Sequence, residues 1–342
     1  MLDDPQYLKE KDPDGALTIA AQEPDQLRTK FTLDAQFGEI ANVVHAGMGG
    51  SALPAQLLRS WPVLPVPFEI VRDYDLPAYV GKHTLCIIDS YSGNTEETIS
   101  ALDQALSKGA QVVVVAHGGQ LETLATDKKV PFVKLPEVGQ PRFAVYSNLK
   151  AVLAVFVAAG LVKADEVYPV VDACADFLER EVPAWIPAVP TANNSAKQLA
   201  QELLGKSLVV YAGPKLQPAA QKWKICTNEN AKQVAWWNQL PEFNHNEFIG
   251  WSKQPVDKPY AIIDLRSDLE HPRIQKRFEV SARLLSGMRP EPHIVQAKGS
   301  NVFEQLIWTI TYGDFVTLYL ALLNGINPTP VDLVESFKKA LG

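Results

Sequence analysis

The stretch Asn42-Val43-Val44-His45-Ala46-Gly47-Met48-Gly49-Gly50-Ser51 runs from a short β-branched segment straight into a glycine-rich turn. A strand that ends in such a turn and leads into a helix gathers backbone N–H groups and a helix N-terminus at one spot, which makes an anion cradle. Similar apolar segments follow at Phe68-Glu69-Ile70-Val71, Thr84-Leu85-Cys86-Ile87-Ile88, Val112-Val113-Val114-Val115 and Val130-Pro131-Phe132-Val133, with helical segments between them. These segments are continuously apolar rather than alternating, the pattern of parallel strands covered on both faces. Gly47, Ser90 and His117 each follow a strand end, where open α/β sheets bind ligands. A doubly wound, parallel-sheet α/β domain is therefore expected over residues 1–182.

The segment Val182-Pro183-Ala184-Trp185-Ile186-Pro187-Ala188-Val189-Pro190 is proline-rich and suggests a link between domains. Beyond it a second series begins. Ser207-Leu208-Val209-Val210-Tyr211-Ala212-Gly213 echoes residues 43–47, and further strands are expected at 260–263 and 292–295. Residues 191–342 are thus expected to form a second doubly wound domain, related to the first by duplication. An amphipathic helix over 331–341 closes the chain.

With 342 residues, 46% hydrophobic and 21% charged, the chain can bury two cores of ordinary size. The net charge of -7 argues against nucleic acid or an anionic membrane as partner. Cys86, Cys174 and Cys226 are widely spaced with no CxxC pair, so neither a disulfide framework nor a zinc site is indicated. The start Met1-Leu2-Asp3-Asp4-Pro5 lacks the basic-then-apolar pattern of a secretory signal. The apolar run over 151–162 falls short of the ~20 residues that cross a bilayer. A cytoplasmic protein without a membrane partner is expected.

Ser90-Tyr91-Ser92-Gly93-Asn94-Thr95 offers three hydroxyls around a glycine, with Glu96 and Glu97 next in line. Such a loop suits a phosphate monoester, and with the first turn it makes Gly47, Gly49, Gly50, Ser51, Ser90, Ser92 and Thr95 the candidate phosphate ligands. Two other readings stay open. The hydroxyls could cap a helix whose first-turn acids offset its dipole. Residues 47–52 also fit G-x-G-x-x-A, with Asp73 as a ribose ligand in a dinucleotide site.

Asn228-Glu229-Asn230-Ala231-Lys232 and Pro241-Glu242-Phe243-Asn244-His245-Asn246-Glu247 place one carboxylate and one imidazole in an amide-rich, turn-prone context. Sugar isomerisation needs such a pair: a base for a carbon-bound proton and an acid/base for ring opening. Taken alone, Glu229 could equally be a helix-end carboxylate bonded to Asn230 or Lys232, and His245 a hydrogen-bonded loop residue.

Residues 47–52 and 90–98 resemble the sugar isomerase (SIS) domain. The motifs at 228–232 and 241–247, with Pro328-Thr329-Pro330-Val331, narrow the resemblance to the bifunctional phosphoglucose/phosphomannose isomerase family, over most of the chain. The resemblance implies two SIS domains and an isomerase that needs neither metal nor cofactor. Its reaction would interconvert glucose 6-phosphate, mannose 6-phosphate and fructose 6-phosphate through an enediol. Glu229 would be the base and His245 the ring-opening group. In related phosphoglucose isomerases that histidine comes from the other subunit, which implies a homodimer with shared sites. Arg142, in Gln140-Pro141-Arg142, matches the arginine near the enediolate. The resemblance also implies a C-terminal lysine that reaches substrate: Lys338 is chosen for it by distance from the chain end, with Lys339 as the alternative, since adjacent helical residues point about 100° apart and only one can enter; both could equally serve the dipole of the last helical turn. The chain departs from the family at Phe143-Ala144-Val145-Tyr146, which lacks the glycine often found before the tyrosine. His45, His83, His117, His271 and His293 carry no comparable context. Two alternatives remain: a non-catalytic phosphosugar-binding regulator, and an NAD-dependent oxidoreductase built on residues 47–52 and Asp73.

Overall fold

The computed structural model describes residues 1–62, 64–253 and 259–341. The chain divides into two compact units, one of residues 22–176 and the other of residues 1–21 with 177–342.

The unit of residues 22–176 is built on five parallel strands, β1 (Asn42–Gly47), β2 (Phe68–Val71), β3 (Thr84–Asp89), β4 (Gln111–Ala116) and β5 (Phe132–Lys134), in the order β2-β1-β3-β4-β5. The apolar strands are buried because both faces are covered. Val44, Ala46, Cys86, Ile88, Val112 and Val114 pack with Ala101, Leu102 and Ala105 of the helix Glu96–Ser107. The helix Val145–Ala158 is buried along nearly all its length. Strand order reverses between β1 and β3, where Gly47 lies opposite Asp89. That reversal leaves a crevice beyond the strand ends, the usual ligand position of such sheets.

The other unit has four parallel strands, β6 (Ser207–Ala212), β7 (Ala235–Gln239), β8 (Tyr260–Arg266) and β9 (His293–Gln296), ordered β7-β6-β8-β9. Its first strand again lies between its second and third, so its order matches that of the first four strands of the other sheet. Strand β7 falls in the stretch that reads as turn-prone. It is an edge strand, with Trp236 exposed and Asn238 and Gln239 half-buried, so it lacks the apolar signature of its neighbours. Helix Val302–Leu323 is long and apolar enough to cross a membrane, with mean hydropathy 1.5, yet 94% of that window is buried in the protein, as the central helix of this unit.

Two boundaries differ from the sequence reading. The first 21 residues pack with 177–342 rather than with the first domain. The buried Lys197 ammonium donates to the Leu2 carbonyl and the Asp3 carboxylate, both at 2.9 Å, and Tyr7 donates to the Leu322 carbonyl at 2.6 Å. The proline-rich segment 182–190 is not a loose link either. Trp185 is buried against Trp308, Tyr312 and Phe315, and its carbonyl accepts from Tyr319 at 2.6 Å and Asn194 at 2.9 Å. Its prolines mark irregular backbone, held in place by that aromatic cluster.

Candidate active site

The loops after β1 and β3 flank the reversal point. After β1 the chain makes a short 3-10 turn, Gly49–Ala52, and after β3 the hydroxyl-rich loop leads to the helix Glu96–Ser107. Ser51 Oγ accepts from the Tyr91 amide at 2.9 Å and ties the two loops together. Ser90 Oγ lies 2.8 Å from Thr95 Oγ1 and 3.5 Å from Ser92 Oγ, so the three hydroxyls form one cluster. Ser51 and Ser90 are buried, whereas Gly49 and Ser92 are exposed and Thr95 is half-buried. Gly93 has φ 68°, and a Cβ there would lie 1.7 Å from the Gly118 carbonyl oxygen, so only glycine lets this loop cross the one after β4.

Thr95 occupies the N-cap position of the helix, but its side chain makes no capping bond. A capping threonine would turn its hydroxyl onto the first-turn amides. Here the hydroxyl joins the serine cluster, which leaves helix-end donors for an anion.

Arg142 sits in the turn Pro141–Phe143, 1% exposed, with its guanidinium 4.5 Å from the centre of the Phe143 ring. A Cβ on Gly50 would lie 2.9 Å from the Pro141 carbonyl carbon and 3.0 Å from the Arg142 amide nitrogen. The missing side chain therefore brings the arginine turn directly against the glycine turn. Gln26 clamps the same segment, donating to the Phe143 carbonyl at 2.8 Å and accepting from the Ser147 amide at 3.3 Å.

Beneath the loops lies a buried polar cluster. Asp89, the last residue of β3, accepts from His45 Nε2 at 3.0 Å and from Asn148 Nδ2 at 2.9 Å. Burial pushes its carboxyl above the usual range, partly offset by His45, Asn148 and Ser51.

Glu229 ends the helix Gln217–Glu229 of the other unit and is half-buried. That helix is seated firmly. Trp223 lies over Gly313, where a Cβ would come within 2.1 Å of the indole nitrogen, and donates to the Thr309 carbonyl at 2.9 Å. Lys222 and Asp314 form a buried ion pair beside Cys226, whose thiol is pushed up by burial. Past the helix, Asn230 donates to Thr317 Oγ1 at 3.0 Å, and the Lys232 ammonium donates to the carbonyls of Glu229 at 2.7 Å and Pro328 at 3.1 Å. Lys232 thus binds the backbone end of the helix and joins it to the Pro328-Thr329-Pro330 segment.

At the reversal point of the second sheet the cradle has an occupant of its own. A Cβ on Gly213 would lie 2.3 Å from Glu270 Oε1, and that oxygen accepts from the Lys215 amide at 2.7 Å. Burial raises the Glu270 carboxyl, opposed by the Lys215 and Leu216 amides.

The motif around His245 is anchored at almost every other position. Phe243 is buried against Tyr211, with ring centres 4.5 Å apart. Asn244 donates to Ser281 Oγ at 2.9 Å and accepts from Arg277 at 3.2 Å. Asn246 donates to Glu242 at 2.5 Å, and Glu247 accepts from Tyr211 and from Asn238. His245 itself is exposed, and none of these bonds uses its ring. Lys338 lies on the exposed helix Asp332–Leu341 and pairs with Glu335 at 2.7 Å; Lys339 is exposed beside it.

The candidates thus fall into two sets. The phosphate-loop residues and Arg142 share the unit 22–176, whereas Glu229, His245 and Lys338 belong to the unit containing 177–342. Asp89, Asn148 and Gln26 escaped the sequence reading. A faint signal exists: Asp89 is a charge closing an otherwise apolar strand, and Asn148 and Lys150 interrupt an apolar helix. Among the described residues no group of three or more His, Cys, Asp or Glu is arranged to hold a metal ion.

Residues 192–341 match the family model of the bacterial phospho-glucose isomerase C-terminal SIS domain. The chain is 32% identical to the bifunctional phosphoglucose/phosphomannose isomerase of Caldicellulosiruptor bescii, over 94% of this chain and 95% of that one. It is also 32% identical to the D-glucosamine-6-phosphate 4-epimerase of Sulfolobus acidocaldarius, over 65% of this chain and 67% of that one. A solved structure of a glucose-6-phosphate isomerase like protein from Thermus thermophilus superposes with a TM-score of 0.66 at 20% identity, covering 97% of this chain and 99% of that one, and shares its fold. Identity at this level along nearly the whole of both chains means that the protein belongs to the bifunctional phosphoglucose/phosphomannose isomerase family, with two SIS-type parallel-sheet domains.

Proposed function

We propose that the protein is an aldose–ketose isomerase that interconverts glucose 6-phosphate, mannose 6-phosphate and fructose 6-phosphate through an enediol, without a metal or cofactor, as a cytoplasmic homodimer. The 6-phosphate is held at the glycine turn after β1, around the exposed Gly49, and by the Ser92 and Thr95 hydroxyls. Glu229 takes the C2 proton of the open-chain aldose and returns it at C1. Arg142 stabilises the enediolate oxygen, whose negative charge develops only along the reaction path. C2 is planar in the enediol, so glucose and mannose, which differ only there, pass through one intermediate. His245, supplied by the partner subunit, opens the ring by proton transfer to and from the ring oxygen and O1, since an imidazole both gives and takes a proton near neutral pH. Lys338 contacts the substrate.

The observation that supports this reading best is the approach of the Pro141–Arg142 backbone to Gly50, which packs the turn carrying the buried Arg142 against the turn after β1. The exposed setting of His245 on an otherwise anchored motif supports a role toward a second chain. A coupled assay offering fructose 6-phosphate, with both aldose products measured, tests the reading. Both aldoses should form, equally fast with and without EDTA. Formation of neither would remove the isomerase assignment, and loss of activity in EDTA would remove metal independence. A titration of NADH fluorescence that saturates with added protein would instead favour the oxidoreductase.

A further inference from the structure

We propose that Asp89 and Asn148 are a positioning pair that fixes the Arg142 turn against the phosphate loops, and so sets where the guanidinium stands relative to bound substrate. The proposal rests on the reading of Arg142 as the cation that stabilises the enediolate.

Asp89 stands where three segments meet. It closes β3 immediately before the Ser90 loop, lies opposite Gly47 in the ladder, and accepts from Asn148 in the first turn of the helix that follows Arg142. Between Arg142 and Asn148 the chain has little freedom. Pro141–Phe143 is a tight turn, Ala144 ends that turn and starts the helix, and Gln26 binds both the Phe143 carbonyl and the Ser147 amide. The Asp89–Asn148 bond therefore holds a rigid block whose leading end carries the guanidinium. The contact of Gly50 with Pro141 and Arg142 is the second point of attachment, so two points fix the turn against the loops.

The composition of the cluster argues against a role in stability alone. A fully buried carboxylate is costly even when paired, and well-packed apolar side chains would often serve the fold as well. Two buried atoms of this cluster, His45 Nδ1 and Asn148 Oδ1, also find no hydrogen-bond partner among the described residues. Incomplete buried networks are disfavoured, and departures of this kind concentrate at functional sites. Asp89 and Asn148 touch no reacting atom in this account; they act through Arg142.

A double-mutant cycle on kcat tests the pair, with thermal midpoints recorded for every variant. Asn148→Ala should lower kcat by about 10- to 100-fold, the scale of an ångström-level misplacement of a catalytic group, with a smaller change in KM for fructose 6-phosphate. In an Arg142→Ala background the same substitution should change kcat by less than about twofold, because nothing is left to position. Asp89→Asn should retain kcat within about threefold, since its amide oxygen still accepts from Asn148 and His45 can change tautomer to accept from its amide nitrogen. If Asn148→Ala does not fold, Asn148→Ser, too short to reach Asp89, enters the same cycle. Equal fold losses in the two backgrounds would overturn the positioning role while leaving Arg142 catalytic. An Asp89→Asn enzyme as slow as Asn148→Ala would also overturn it, by showing that the charge matters and the tie does not. An Arg142→Ala enzyme with parental kcat would instead overturn the underlying reading of Arg142, and the pair with it.

Discussion

Lys232 holds the end of the helix that carries Glu229: its backbone lies in the left-handed region at φ 53°, and its ammonium is 2.7 Å from the Glu229 carbonyl oxygen. A helix commonly ends in a left-handed residue, usually glycine. Here a lysine accepts that conformation and adds a cation where the helix dipole favours one. The same ammonium reaches the carbonyls of Asn327 at 3.3 Å and Pro328 at 3.1 Å, so one side chain joins two segments. Lys232→Met should destabilise the protein by about 1.5–3 kcal/mol, the range for hydrogen bonds to a charged group, and should lower kcat by loosening the helix end. Unchanged thermal midpoint and kcat would show that the contact is idle.

Glu229→Gln should keep the fold and the affinity for a non-reacting sugar phosphate while slowing isomerisation by at least about 10²-fold, the lower end for general acid–base catalysis. An amide has nearly the shape of the carboxylate but cannot take the C2 proton. Activity within a few-fold of the parent would exclude Glu229 as the base.

Ser92→Ala and Thr95→Val each remove a hydroxyl at the solvent-facing edge of the cluster. Each should weaken sugar-phosphate binding by about 1.5–3 kcal/mol, or roughly 10- to 150-fold, with the base and the guanidinium unaffected. Calorimetry with a 6-phosphate inhibitor reads this directly. Parental affinity in both variants would move the phosphate elsewhere.

Subunit exchange separates a shared site from one completed within a single chain. Glu229→Gln and His245→Ala should each be inactive alone, and mixing them should restore activity. Random exchange makes about half the dimers mixed, each with one intact site of two, so recovery should approach about one quarter of the parental rate. No recovery after exchange has been verified by mass would confine His245 to its own chain.

Asp264 in β8 gives a pH signature. Burial raises its carboxyl to about 6, against the opposing pull of Arg289 and Arg266. The folded value lies above the ordinary one, so this group's contribution to stability is complete below the ordinary value and is lost as pH rises through about 6. Asp264→Asn removes that loss, and should stabilise the protein at pH 8 by about 2–3 kcal/mol but scarcely at pH 4. Thermal midpoints of both proteins across this range test it; a gain that does not grow between pH 5 and pH 7 would contradict the assignment.

The features legible in the sequence were those fixed by local pattern. Continuous apolar runs marked the central strands, which are buried on both faces; among the described residues the one strand of nine that was missed, β7, carries Asn238, Gln239 and an exposed Trp236 at a sheet edge. The glycine turn and the serine cluster could be read because close backbone approach admits few residue types. Nothing local announced that Leu2 and Tyr7 pack beside Lys197 and Leu322, since those partners are brought together only by the fold. Asp89 and Asn148 left only the faint signal of polar residues in apolar segments. An aspartate at a strand end is usually solvated, and only the placement of helix Val145–Ala158 turns this one into the centre of a network.

Glu270 also bears on how the chain came to divide its labour. If the two halves descend from one ancestral unit, that unit had a single anion-receptive crevice, and duplication made two. The second has been filled from within, by a carboxylate resting on the turn after β6. An incoming phosphate would have to displace a tethered group at very high effective concentration and leave a buried acid behind. On the site assignment proposed above, the duplicate would not compete with its twin for the sugar phosphate and would be free to diverge toward another task.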